Sequence, residues 1–137
     1  MKKAILILLA ALTFSATAYA DEAIKLVKGT GEIVSDVSAY KDGETVMIPL
    51  RAVFESMGMS VSWDPERRTI IMVDPKTSEF IALQVGSENA FLGENMIEVK
   101  PVAKILQNRT FVPLEFITDN FSDNAEWDTA ASTLKIK

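Results

Sequence analysis

The chain has 137 residues, 48% of them hydrophobic, which suits one domain around one core. Its formal net charge of -5 argues against nucleic acid and anionic surfaces as partners. It contains no histidine and no cysteine, which excludes a disulfide framework, a His-based metal site and a triad built on histidine.

Residues 1–20 read as a secretory signal peptide. Lys2 and Lys3 make the positive start, Ala4 to Leu12 the apolar run, and Ala18-Tyr19-Ala20 a small-x-small cleavage site. The run is too short to anchor in a bilayer. No twin arginine precedes it and no cysteine follows it. The expectation is export through a cleavable leader, leaving residues 21–137 as one domain with no membrane span and an extracellular or envelope location.

The domain opens with a hairpin, Ile24 to Val27 and Glu32 to Val34, around Gly29 to Gly31. Val46 to Ile48 form a strand. Pro49 suits the first turn of a helix, where its missing N–H would be unpaired anyway. Leu50, Val53, Phe54 and Met57 mark one helix face, and Gly58 suits a left-handed stop. Met59, Val61 and Trp63 alternate with Ser60, Ser62 and Asp64, a strand period. Asp64 to Arg67 form a turn and Thr69 to Val73 the return strand. Glu79 to Val85 is an extra strand, and Ala90 to Leu92 with Met96 to Val99 a second hairpin.

Much of this then recurs. Val46 to Val73 aligns without a gap on Thr110 to Lys137, an offset of 64 residues. Pro49-Leu50 falls on Pro113-Leu114, and Trp63-Asp64 on Trp127-Asp128. Phe111 and Val112 make the strand, Leu114, Ile117 and Phe121 the helix face, and Leu134 and Ile136 point inward. A weaker match sets Gly29 on Gly93 and Ile33 on Ile97. The expected fold is α+β: a single compact domain of two pseudo-repeated units, about 25–73 and 89–137, mostly antiparallel strands with one short helix per repeat.

Residues shared by both copies are read as scaffold. Trp63 and Trp127 could be ligand platforms, but their matched register favours core filling. Met57 and Met59 offer two thioethers, an incomplete soft-metal set, and read as packing. Asp119, Asn120, Asp123 and Asn124 lack calcium-loop spacing and read as capping. Arg67 and Arg68 read as local ion pairing. The sequence therefore names no catalytic residue, no metal ligand and no cofactor.

The mismatches are more informative. Arg51 faces Glu115, and it either pairs with Glu55 or anchors an acidic partner. Ile71 and Val73 stand where Lys135 and Lys137 solvate the second return strand. The first return strand is thus apolar on both faces. Cover by the chain around Glu79 to Val85 is the favoured reading, and an exposed binding surface the other. Arg51, Ile71 and Val73 are the candidate partner surface.

The string Ile48-Pro49-Leu50-Arg51, Met57-Gly58, Val61-Ser62-Trp63-Asp64 and Thr69-Ile70-Ile71, followed by Asn108-Arg109-Thr110-Phe111-Val112-Pro113-Leu114, resembles the copper amine oxidase N-terminal-like domain, or stalk domain. Such domains occur in exported and envelope-associated bacterial proteins, and in the oxidases the stalk is separate from the catalytic domain. The oxidase centre needs histidine ligands and a tyrosine-derived quinone. With no histidine in the chain, none of that site carries over. Glu115 replaces the usual arginine, and Phe121-Ser122-Asp123 the Leu-Gly step. The resemblance implies a non-catalytic exported module that binds an envelope or extracellular protein or a cell-wall polymer. The alternatives are a secreted protease inhibitor using Ser35 to Gly43 or Ser87 to Asn95, and a carboxylate-dependent hydrolase.

Overall fold

A computed structural model describes residues 23–137; the expected signal peptide lies outside them. Among these residues the strands form three sheets and two short helices pack against them. The class is α+β with mostly antiparallel strands.

The middle sheet has the order β10-β11-β4-β3. It consists of β3 (Tyr40–Asp42), β4 (Thr45–Pro49), β10 (Lys104–Leu106) and β11 (Arg109–Pro113). Its central pair joins the two halves of the chain, with Pro49 opposite Phe111, Ile48 opposite Val112 and Met47 opposite Pro113. All six residues are buried, because the sheet has chain packed on both faces. Each central strand runs directly into a helix, α1 (Leu50–Ser56) after β4 and α2 (Leu114–Asn120) after β11. Pro49 is the last residue of β4 and the N-cap of α1, one position earlier than the sequence suggested. Its fixed φ of -66° serves an extended residue as well as a helical one.

The other two sheets flank this unit. One has the order β5-β6-β7-β8-β9 and is wholly antiparallel: β5 (Ser60–Asp64), β6 (Thr69–Val73), β7 (Phe80–Gln84), β8 (Asn89–Leu92) and β9 (Asn95–Glu98). The other has the order β12-β13-β1-β2: β1 (Lys25–Lys28), β2 (Gly31–Glu32), β12 (Ala125–Asp128) and β13 (Thr133–Ile136). Here β1 and β13 run parallel, Lys25 opposite Thr133 and Lys28 opposite Ile136.

The core lies between the helices and the inner faces of these sheets. Leu50, Val53 and Phe54 of α1 meet Leu114, Phe116 and Ile117 of α2, with Ile70, Met72, Ile81 and Leu83 from one flanking sheet and Leu26, Leu134 and Ile136 from the other. Phe54 sits edge-on to Phe121, ring centroids 5.1 Å apart, and Phe116 lies 6.0 Å from Phe121. The spacing of three and four along each helix aims these side chains into one core. After α1 the chain turns at Gly58, whose φ of +89° lies in the left-handed region that glycine enters without strain.

Candidate functional site

Beside β5 lies an open groove of about 660 Å³, within the size range of small-ligand and peptide sites. Each wall follows from local sequence. Leu50, Arg51, Ala52 and Glu55 come from α1, and Val61, Ser62 and Trp63 from β5. The facing wall is the β2–β3 loop from Val34 to Val37 together with Ile105 and Asn108 to Thr110 of the β10–β11 hairpin. Ser35 Oγ accepts from the Val37 N–H and donates to its carbonyl, which holds that loop in a tight turn. Arg109 Nε donates to both carboxylate oxygens of Asp36, at 2.9 and 3.1 Å, tying the loop to the hairpin. The Arg109 guanidinium holds the Asp36 carboxyl below the usual carboxylate range.

Arg51 projects into this groove. Its Nη1 donates to the Val61 carbonyl at 3.1 Å and approaches Glu55 Oε2 at 3.4 Å. Both partners of that ion pair are more than half exposed, so it is weak. Trp63 is 40% exposed and lines the groove. This corrects the expectation that it fills the core: β5 ends its sheet, and the indole lines the groove at that edge. Trp127 is half-buried and packs against the core.

A second feature lies on the outer face of the five-stranded sheet. Strand pairing puts Ser62, Ile71, Ala82, Phe91 and Met96 in a single row across it. Ile71 is 38% exposed, Phe91 45% and Met96 63%. Val73 and Phe80 pair in the next row on the same face. On the other side lie the polar residues Asp64, Thr69 and Gln84, paired in turn, and the polar pair Asn89 and Glu98, all alternating with the inward residues. The expected cover of Ile71 by residues 79–85 is therefore corrected. β7 pairs beside β6 in the plane of the sheet, and β-ladder bonds cover an edge rather than a face. Val73 is half-buried. The row was invisible in sequence because its members come from five strands, and only Ile71 carried a signal, its mismatch with Lys135.

The other singled-out residues have structural work. Asp64 Oδ1 accepts from the N–H groups of Glu66 and Arg67, and Arg67 Nη1 meets Asp64 Oδ2 at 3.0 Å. Asp128 likewise accepts from the Ala131 N–H and pairs with Lys135 at 3.3 Å. Those partners hold both carboxyls below their ordinary values, Asp64 chiefly through Arg67 and Asp128 chiefly through the Ala131 N–H. Such turn-anchoring carboxylates stay ionised and are not poised as proton donors. Asn120 Nδ2 donates to the Phe116 carbonyl at 2.9 Å, closing α2, whereas Asp119 and Asp123 are exposed. Met57 and Met59 pack against the core. Ser87 to Asn95 is taken up by β8 and its turn, and Ser35 to Gly43 by the groove wall and β3. Among the described residues no three Asp or Glu side chains gather as a metal site, and no helix is long and apolar enough to cross a membrane.

The family model described as the copper amine oxidase N-terminal domain matches residues 27–136, and the chain belongs to that family. The match spans all three sheets, the groove and the outer row, in agreement with the resemblance of the Pro-Leu and Trp-Asp strings. That domain is a non-catalytic part of the oxidases it is named for. No curated protein matches the chain.

Proposed function

We propose that this member of the copper amine oxidase N-terminal domain family is an exported, non-catalytic module that binds or presents a partner in the bacterial cell envelope or the secreted fraction. The observation that carries this reading is the row Ile71, Ala82, Phe91 and Met96, an apolar strip open to solvent beside a polar row. Contiguous exposed apolar surface of that kind marks interaction sites. Arg51 in the groove and Ile71 with Val73 on the sheet are the proposed partner surfaces, for an envelope or extracellular protein or a cell-wall polymer.

The scaffold reading supports this. We take residues 25–73 and 89–137 as two copies of one unit related by a local two-fold. The β4–β11 register supports it: Ile48 faces Val112, its own counterpart, while Met47 faces Pro113 and Pro49 faces Phe111. On this reading the residues common to both copies build the core, and Arg51 and the apolar row lie where the copies differ, the row drawing Ile71 from the first copy, Phe91 and Met96 from the second, and Ala82 from the strand between them. Export follows from the leader-like residues 1–20, and N-terminal mass determination of secreted protein tests it, with Asp21 the expected first residue.

The functional test incubates the secreted protein with cell-wall material, soluble polysaccharides and a protease panel. Retention on wall material, reduced by Ile71→Lys and Phe91→Lys in a folded protein, is the expected result. Stoichiometric protease inhibition would establish the inhibitor alternative instead. Turnover of any substrate that vanishes on changing one Asp or Glu would overturn the non-catalytic reading.

A further inference from the structure

The groove beside β5 has the features of a slot for one added strand. Among the described residues β5 ends its sheet and pairs only with β6. In a strand the N–H and C=O of one residue point to the same side, and the side alternates from residue to residue. The Arg51 guanidinium reaches the Val61 carbonyl, so Val61 directs its backbone groups away from β6. Trp63, two residues on, does the same. Both residues line the groove. The free edge of β5 thus opens into a cavity instead of bulk solvent, and a single arginine donor occupies a position where a neighbouring strand's N–H would bond.

We infer that this groove binds an extended peptide segment of another protein by strand addition to β5, with an acidic peptide side chain taken by Arg51. The inference deepens the binding-module reading and rests on it. An exposed strand edge is a template for pairing, and peptides that exploit one gain affinity from main-chain bonds and selectivity from alternate side chains. Side chains on the inward face of the added strand would lie among Trp63, Ile105 and Val37, while Arg51, released from Val61, gains a carboxylate partner. The facing wall is tied together by the Arg109–Asp36 pair and lines the same groove. A second copy of this chain is the competing occupant of the edge, and the concentration dependence of protection separates it from a peptide.

The test uses the full secreted chain and a synthetic hexapeptide, Thr-Val-Glu-Val-Thr-Val, capped at both ends. Amide exchange is followed by NMR as the peptide is added. The expected result is saturable slowing of exchange at the Val61 and Trp63 amides. Replacing glutamate by glutamine in the peptide weakens binding about tenfold, and Arg51→Ala abolishes that preference. Methylating the peptide nitrogens that face β5 removes the protection altogether, with the protein itself unchanged. Val61→Pro, tolerated on an edge strand, does the same in a chain whose melting is unaltered.

Several outcomes overturn the proposal. These are unchanged exchange at both amides, protection that survives N-methylation, and protection that rises with protein concentration in the absence of peptide. A cello-oligosaccharide that shifts the Trp63 indole without protecting either amide would make the groove a saccharide site instead. Wall retention that depends on Ile71 and Phe91 is read separately, so its loss sinks the sheet-face reading and leaves the groove result standing.

Discussion

The outer faces of the two flanking sheets differ at matching positions. In the five-stranded sheet the middle row is Ser62, Ile71, Ala82, Phe91 and Met96. In the four-stranded sheet the residues 64 positions away form the row Glu126, Lys135, Val27 and Glu32. Serine becomes glutamate, isoleucine lysine, phenylalanine valine and methionine glutamate. Ala82 has no counterpart, because β7 is inserted between β6 and β8. In the other sheet β13 meets β1 directly. Since alternating charge satisfies these positions in one sheet, folding does not demand the apolar set in the other. That contrast is the strongest reason to assign the apolar row to a partner.

Substitutions can break or sharpen the contrast, and the largest effect tests whether the halves are separable at all. Phe54 is fully buried and touches Phe121, across the junction of the two helices. Phe54→Ala is expected to cost about 3–5 kcal/mol and to lower one cooperative melting transition. Two transitions by calorimetry would show that each half has its own core. Next is the helix stop. Gly58→Ala places a β-carbon at φ +89° with nothing within 4 Å to strike, so backbone strain alone should cost about 1 kcal/mol in urea denaturation. The corresponding Ser122→Ala should change little, since α2 ends at Phe121 with φ -131° and needs no left-handed residue.

Tyr40→Phe should act in the opposite direction. The Tyr40 hydroxyl is buried without a hydrogen-bond partner among the described residues, and burial pushes its pKa up. Removing it is expected to raise stability by up to about 1 kcal/mol. The gain should grow above about pH 10, where the unfolded tyrosine ionises before the folded one. Smaller still, Ile71→Lys imports the residue of the sister row and should leave stability within about 0.5 kcal/mol. A larger loss in denaturant titrations would mean that the row supports the fold, contrary to the comparison. The acid response is least. Asp36, Asp64 and Asp128 have lowered values in the folded state. Their contribution is present above the ordinary carboxylate range of about 4 and fades as pH falls through the lowered values. Asp64→Asn and Asp128→Asn should each flatten that acid limb by a similar small amount in pH-dependent melts.

Much of the scaffold was legible because it is written in local periods. Val53 and Phe54, the Ser60 to Asp64 alternation and the Asp64 turn need only neighbours in the chain to define them. β3 and β10 escaped notice because each has three residues. Their turn signals were present, Gly43 at φ +65° and the Gln107-Asn108 pair at +52° and +62°, the left-handed pair that a tight hairpin requires. Arg51 and Ile71 stood out in sequence because the aligned residues 64 positions on, Glu115 and Lys135, supplied the comparison. Phe91 and Met96 did not, since only pairing through β7 brings them beside Ile71. Trp63 misled for a related reason: an indole on a strand reads as core until the strand proves to be an edge.

The parallel contact of β1 with β13 has a mechanical consequence. The chain enters beside Thr133 and leaves beside Lys28, at opposite ends of the same pair. Tension applied through the segments before Lys25 and after Ile136 would slide the two strands along each other. Their interstrand bonds would then bear the load together instead of opening one at a time. A domain wired in this way resists stretching at its weakest-looking place, where its two ends meet.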